Sequence, residues 1–291
     1  MLEQLEKVRK KALYKTLSCY LIFIILGIIC FFVFPTISFV IIVFGIILTF
    51  FITKKDVDLF KKLYKENIVL VALNKICTDV VFDMNNGISR SVIAETQMMD
   101  MGDYFHSNDY VKGKYKNISF EMSDIKIEEE STDSDGNRTR YTIFEGQWYI
   151  FDFNKEFKAH VQVCEKNFVS ARRGSLFAKK EDRFKKIELE DVDFNKQFRV
   201  YAQNELDAFY ILTPNIIEKI KDLNNKIKGR ILFCFIDNKL HIGLYNNKDF
   251  FEASIFKKID LDKAIEKTNG EISVITSFID GLSLDNDLFK L

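Results

Sequence analysis

Proline is nearly absent from these 291 residues, occurring only as Pro35 and Pro214. No glycine- or serine-rich stretch and no internal repeat accompanies it, so neither an interdomain linker nor a solenoid is expected. Histidine is almost as scarce: His106, His160 and His241 stand far apart, and no set with metal-ligand spacing results. His160 and Cys164 are four apart, but on a strand such residues lie about 13 Å from each other, too far to chelate one ion. The five cysteines, Cys19, Cys30, Cys77, Cys164 and Cys234, form no C-x-x-C pair. A reducing compartment fits them better than a disulfide framework. Glycine-rich phosphate loops, a G-x-S-x-G elbow and an H-E-x-x-H helix are all missing. Acidic and basic residues balance to zero net charge, which argues against a general nucleic-acid binder. No cofactor and no metal is expected.

Charge itself is missing from one place, the run TLSCYLIFIILGIICFFVFPTISFVIIVFGIILTFFIT at 16–53. A bilayer core about 30 Å thick takes ~20 helical residues per crossing, so this run is two spans or one oversized one. Pro35 near its midpoint removes a backbone donor and favours a turn, which predicts helices at 16–34 and 37–53 with a very tight connection. A cleaved signal peptide would have a shorter apolar core and a small-residue cleavage site. A soluble core hairpin is a poorer fit to so long an uncharged run, and a re-entrant hairpin would leave both flanks on one side as well.

The flanks are basic. Residues 1–15 carry five positive and two negative groups, and residues 54–65 repeat that balance. Cytoplasmic flanks are enriched in Lys and Arg, so the expectation is a plasma (inner) membrane protein with two spans and both termini cytoplasmic. Lys10, Lys11, Lys15, Lys54 and Lys55 are the candidate membrane-flank anchors, each worth ~1 kcal/mol near an anionic leaflet. The remainder of the chain is acidic and would be held clear of that leaflet.

Beyond the apolar run the period changes. Val57, Phe60, Tyr64, Ile68 and Val71 recur at three- and four-residue steps, the pattern of an amphipathic helix. This predicts a stalk over 54–78 that continues the second span to about Ile76, its apolar stripe packed on the domain that follows or on a partner. The sequence YVKGKYKNISFEMSDIKIEEE then alternates apolar with polar residues, STDSDGNRTR reads as a hairpin tip, and RYTIFEGQWYIFDFN, KAHVQVCE and, more weakly, KKIELE continue the strand pattern. An antiparallel sheet of about five strands is expected in the middle third. FRVYA reads as a strand and ELDAFYI as a short helix. Thr213-Pro214 opens the helix NIIEKIKDLNNKI with a capping hydroxyl and a first-turn proline. Two strands, RILFCFID and KLHIGLY, meet across Asn238-Lys239, and a last helix, LDKAIEKTNGEISVITSFIDGL, is open to interruption at Gly270. The fold class is α+β: basic N-terminus 1–15, transmembrane helical hairpin 16–53, stalk 54–78, and a cytoplasmic domain 79–291 with a largely antiparallel sheet and several helices.

The segment KKIELEDVDFNKQFRVYAQNELDAFYILTPNIIEKIKDL resembles the signature of a bacterial membrane-anchored family catalogued as domain of unknown function 3137. DYFHSNDYVKGKYKNISFEMSDI is similar to the family's first block, FEGQWYIFDFNKEFKAHVQV to a second and FFEASI to a late one. The resemblance implies a membrane-anchored bacterial protein and brings no activity, cofactor or catalytic residue with it. One departure stands out: family members often carry an arginine before the tyrosine that precedes the Leu-Thr-Pro turn, where this chain has Phe209 before Tyr210.

Few clusters invite a chemical reading. In ARRGSLFAKKEDRFKK, residues 171–186, Arg172, Arg173, Lys179, Lys180, Arg183, Lys185 and Lys186 outnumber two acids. This is a candidate contact for anionic lipid or ligand, with Phe177 and Phe184 able to insert or stack, although a solvated loop is the plainer reading. Trp148, Tyr149 and Phe151 beside Asp152, Phe153 and Phe157 suggest core packing ahead of a ligand groove. Asp133 to Asn137 lacks the spacing of a calcium loop. Glu188, Glu190, Asp191 and Asp193 read as acidic surface in the absence of a pocket. The favoured function is a membrane-tethered cytoplasmic binding or scaffolding module with the lipid bilayer and a protein as partners. An enzyme at the membrane surface is the alternative, and it would be marked by a deep pocket with convergent ionisable groups. Transport is weakly supported, since the spans are charge-free, and Gly27 and Gly45 form no small-residue motif that would fix an oligomeric state.

Overall fold

A computed structural model describes residues 2–166, 168 and 184–284. The chain divides into two compact units, one of Met1–Ala72 with Phe251–Asn269 and one of Leu73–Phe250 with Gly270–Leu291.

The first unit is built on a helical hairpin. Helix α1, Leu2–Phe31, turns through Phe32–Phe34 into α2, Pro35–Tyr64. Pro35 is therefore the first residue of the second helix and not part of the turn: at that position a helix has no use for the missing N–H, and the ring pre-sets φ. Both helices are long and apolar enough to cross a membrane, and little of their apolar windows is buried. The seam between them closes where side chains are smallest. A Cβ on Gly27 would collide with Ile42 and one on Gly45 with Phe23, while Ser38 donates to the Gly27 carbonyl at 2.7 Å. The two glycines thus serve close approach within the hairpin.

Helix α2 runs on through a π-helical turn, Lys65–Val69, into α3, Leu70–Ile76. The π turn corrects the expected stripe. Phe60, Tyr64 and Ile68 are buried, but Val71 is exposed, and Val69, Ala72 and Leu73 are buried in its place. An extra residue in one turn advances the phase by about 100°, so the sequence periodicity fails at that point. Lys65 follows the buried face and pairs with Glu252 at 2.9 Å, as does Lys61 at 2.6 Å. Arg9 binds Glu6 and donates to the Ile255 carbonyl. Asp56, itself buried, pairs with Lys15 at 2.6 Å and Lys11 at 2.9 Å.

The second unit holds a seven-stranded sheet in which every pair is antiparallel. Its strands are β1 (Thr78–Asp83), β2 (Tyr104–Tyr115), β3 (Ile118–Thr132), β4 (Arg138–Glu165), β5 (Lys185–Ile187), β6 (Phe198–Ala202) and β7 (Arg230–Tyr245). The order is β1-β2-β3-β4-β6-β5, with β7 also on β4. β2 and β3 join through Lys116-Asn117, both at positive φ, the two-residue turn whose twist suits a hairpin. The β3–β4 tip is the polar stretch expected, with Asp133 accepting from the Asp135 and Asn137 amides.

Two expected breaks are absent. RYTIFEGQWYIFDFN and KAHVQVCE belong to the single strand β4, and RILFCFID and KLHIGLY to the single strand β7. β4 and β7 pair with each other along their length through register shifts between Asp152 and Val161, and Asp237 takes a positive φ opposite them. Ladder bonds to a neighbour carry a strand through polar residues that would otherwise start a turn, and the mismatch is absorbed as a bulge. For the same reason the sheet has fewer, longer strands in its middle than alternation alone suggests.

Helix α4, Arg90–Glu95, and the segment after it cover one face of the sheet, where Ile93, Met98 and Met99 join Ile125, Phe144, Trp148 and Ile150. On the other face Tyr149 and Phe151 meet Phe278 at 5.1 and 6.2 Å. Phe278 lies on α8, Leu261–Leu282, which passes through Gly270 without interruption. Nothing lies within 4 Å of where a Cβ would stand there, so Gly270 costs the helix only its propensity penalty of ~1 kcal/mol. Trp148, Tyr149 and Phe151 are core, as expected, whereas the side chains of Phe153 and Phe157 lie outside those described. Three short helices, α5 (Val192–Gln197), α6 (Glu205–Ile211) and α7 (Pro214–Lys226), follow β5 and flank β6.

Candidate functional site

An open apolar feature of the sheet unit lies among α5, α6 and α7. After β5 the chain leaves the sheet at Leu189, which is fixed by a reciprocal pair of bonds: Asn195 Nδ2 donates to its carbonyl at 2.6 Å and its N–H donates to Asn195 Oδ1 at 3.2 Å. Asp191 caps α5, accepting from the Phe194 N–H at 2.8 Å. Its other oxygen pairs with Lys221 of α7 at 2.7 Å. The Lys221 ammonium, and then the capping N–H, hold the Asp191 carboxyl below its ordinary range. Asn204 caps α6 and Thr213 caps α7, with Pro214 in the first turn, as the sequence predicts.

These caps frame an open groove of 750 Å³. Buried Leu189, Leu212 and Ile217 form its base, Phe209 and Pro214 its apolar walls, and Glu190, Asp191, Asn215 and Glu218 its polar rim. The apolar surface continues outside it. Leu206, one helical turn before Phe209 and Tyr210, is 74% exposed, and Phe209, Tyr210 and Val192 are exposed too. Phe209, the position at which the chain departs from the family pattern, is thus a wall of the groove. Glu190 and Asp191 are not plain acidic surface, because the fold supplies the pocket beside them that sequence spacing does not reveal. Among the described residues no histidine, cysteine or lysine lines the groove.

The basic cluster meets the structure only at its end. Lys185 and Lys186 are exposed on β5, with Lys186 paired to Glu188 at 2.6 Å, while Arg172, Arg173, Lys179, Lys180, Arg183 and Phe177 lie outside the described residues. Phe184 packs its ring edge on His160 with centroids 4.6 Å apart, so it is not free to insert elsewhere. Of the flank lysines, Lys10, Lys54 and Lys55 are exposed, whereas Lys11 and Lys15 pair with Asp56.

Two polar clusters escaped sequence reasoning because their members meet only across strands. Thr96, buried, offers its carbonyl to His160 Nε2 at 2.9 Å and Gln162 Nε2 at 2.6 Å, and Cys234 Sγ lies 3.3 Å from His160 Nε2. His160 therefore meets Cys234 on β7, not Cys164 four residues along its own strand. The carbonyl can only accept, so both donors pin the Thr96 turn onto the sheet. Nearby, Trp148 Nε1 donates to His241 Nδ1 at 3.3 Å. Burial, helped by Lys239, lowers the His241 pKa to about 4 and keeps that imidazole neutral.

On the opposite face Asp124 accepts from Gln147 at 2.7 Å and from the Phe250 N–H at 2.9 Å. Burial, followed by the Asp249 carboxyl, pushes the Asp124 carboxyl well above its usual value. Burial likewise raises the Cys77 thiol to about 11, and that cysteine is an unreactive apolar filler, as expected.

No curated protein matches the chain. The crystal structure of the mycobacterial trehalose monomycolate transport factor A, TtfA, is similar at a TM-score of 0.41 and 10% identity, over 77% of this chain and 94% of that one. The family described as protein of unknown function (DUF3137) matches residues 142–284. That stretch contains the second, signature and late blocks and all of the groove, whereas the first block, DYFHSNDYVKGKYKNISFEMSDI, precedes it. The model of the DUF3137 family, the one that the ordered sequence blocks resemble, thus matches residues 142–284.

Proposed function

We propose that this chain is a membrane-anchored binding module whose α5–α7 groove docks an apolar segment of a protein partner. The observation that carries the reading is the groove itself, an apolar base and walls continued outward by exposed Leu206, Phe209, Tyr210 and Val192. Contiguous apolar surface rimmed by polar groups marks interaction sites on otherwise soluble folds. A small ligand would want most of its surface enclosed, whereas an open groove with an apolar shoulder suits a longer chain. The two apolar helices are the anchor, spanning the inner membrane with both termini cytoplasmic, and exposed Lys10, Lys54 and Lys55 meet anionic headgroups.

A photo-reactive amino acid at position 209 of the full-length protein tests the groove in cells. The expected outcome is one discrete protein adduct that disappears with Leu206→Asp and is not formed from position 139 on the hairpin tip. Adducts that ignore Leu206→Asp, or none beyond the control position, reject the reading. Protease accessibility in intact and permeabilised cells, with carbonate extraction, tests the anchor separately. Cleavage of the sheet unit from outside, or release by carbonate, rejects the cytoplasmic orientation or the spans.

A further inference from the structure

Among the described residues the rim of the groove carries more acidic than basic side chains. Between residues 185 and 222 eight carboxylates stand against six cations. Asp191 is neutralised by Lys221, Asp193 by Lys196 and Glu188 by Lys186. Glu190 and Glu218, which line the groove, are exposed and have no ion-pair partner among the described residues, and the same is true of Glu205. Glu205 stands four residues before Phe209 on α6, so its side chain lies over the same helical stripe as the groove wall. The apolar base is therefore bordered by three carboxylates that make no ion pair among the described residues, Glu218 lying within the field of Lys221.

Resting on the docking reading, we infer that the groove selects a basic amphipathic segment: one or two large apolar side chains flanked by lysine or arginine. Apolar side chains on Leu189, Leu212 and Ile217 supply the anchor, as buried hot spots do at the centre of an interface. The carboxylates act at the rim, where complementary charge sets encounter rate and partner choice more than raw affinity. An acidic partner brings its carboxylates against Glu190, Glu205 and Glu218 and is rejected, which is how specificity between otherwise similar apolar segments arises.

The test uses the full chain in nanodiscs of zwitterionic phosphatidylcholine, so that a basic peptide has no anionic lipid to bind. Three synthetic amphipathic peptides share one apolar face and differ only in lysine, glutamine or glutamate at the flanks. The expected order is lysine, then glutamine, then glutamate, with about tenfold between the first two, since three exposed pairs each contribute a small factor. Raising salt from about 0.1 M to about 1 M, which shortens the screening length from about 10 Å to about 3 Å, compresses the order. Combining Glu190→Gln, Glu205→Gln and Glu218→Gln abolishes the order while the glutamine-flanked peptide binds as before. Equal binding of all three peptides, lost on Phe209→Asp, overturns the charge selection and leaves the docking groove standing. Binding that Phe209→Asp does not affect, or none by any peptide, overturns both.

Discussion

The hairpin and the sheet are both rich in phenylalanine and isoleucine, yet they treat those side chains in opposite ways. On α1 and α2, Phe32 is 82% exposed and Phe39 70%, whereas Trp148 and Phe151 of the sheet are fully buried. A pair of helices has one seam, closed here at Gly27, Gly45 and Ser38, and the hairpin leaves most apolar groups off that seam exposed. A sheet covered on both faces makes its own interior from alternating residues. The groove lies between these extremes, a small apolar area left open on a unit that has otherwise closed on itself.

The contrast is broken most directly by removing an aromatic from each region. Trp148→Ala should cost ~3–5 kcal/mol, the usual penalty for emptying a large core site, whereas Phe39→Ala should stay within ~0.5 kcal/mol. Denaturant unfolding of the full chain in detergent, followed by circular dichroism, gives both values. Equal losses would mean that the hairpin has an interior of its own.

Charge sharpens the comparison next. Glu252→Gln leaves Lys65, which is 3% exposed, without its carboxylate, and a loss of ~2 kcal/mol is expected because the pair is mostly but not wholly buried. Faster proteolysis after Lys257 and Lys258 reads it out; unchanged cleavage speaks against a holding role for the pair. Burial pushes the Glu252 carboxyl up, and Lys61 and Lys65 outweigh that, so it titrates below its ordinary value. Its contribution is therefore complete above the unfolded carboxylate pKa of about 4.3 and lost as pH falls through the lower folded value. The variant should lack this acid-side decline.

Asp124 has the opposite sign. Its folded pKa lies above the unfolded one, through burial first and Asp249 second, so its contribution is complete below the unfolded pKa and lost as pH rises through the folded value. Asp249→Asn removes the neighbouring charge and should stabilise the sheet unit by ~1 kcal/mol near neutral pH, with little change in acid. Denaturation midpoints that rise in acid instead would reverse this assignment. The smallest stability effect belongs to the groove: Leu206→Asp should change unfolding by less than ~0.5 kcal/mol, as exposed sites do, and larger destabilisation would make Leu206 structural.

What could be read in advance is what chain neighbours decide. An uncharged run long enough for two spans, the cap at Thr213 before Pro214 and the polar tip at Asp133–Asn137 all depend on residues within a turn or two, and all stand as expected. The apolar stripe was legible only as far as Ile68, because one π turn resets the phase beyond it. Strand β4 looked like two strands, since the β7 ladder that carries it through its polar middle lies some eighty residues away in sequence.

The groove was legible only in part: its caps and Phe209 could be named, but not the pocket beside Glu190 and Asp191. Its walls come from a loop and two helices that local propensity places individually but cannot bring together. Sequence by itself determined the segregation of apolar from charged residues, the helix starts and the alternation that makes a sheet, because those follow from side-chain chemistry and backbone period. Tertiary structure alone decided that Lys65 would meet Glu252, that His160 would meet Cys234, and that a loop and two helices would enclose an acid-rimmed apolar groove. Such pairings are set by which distant backbones pack, and no local period encodes that.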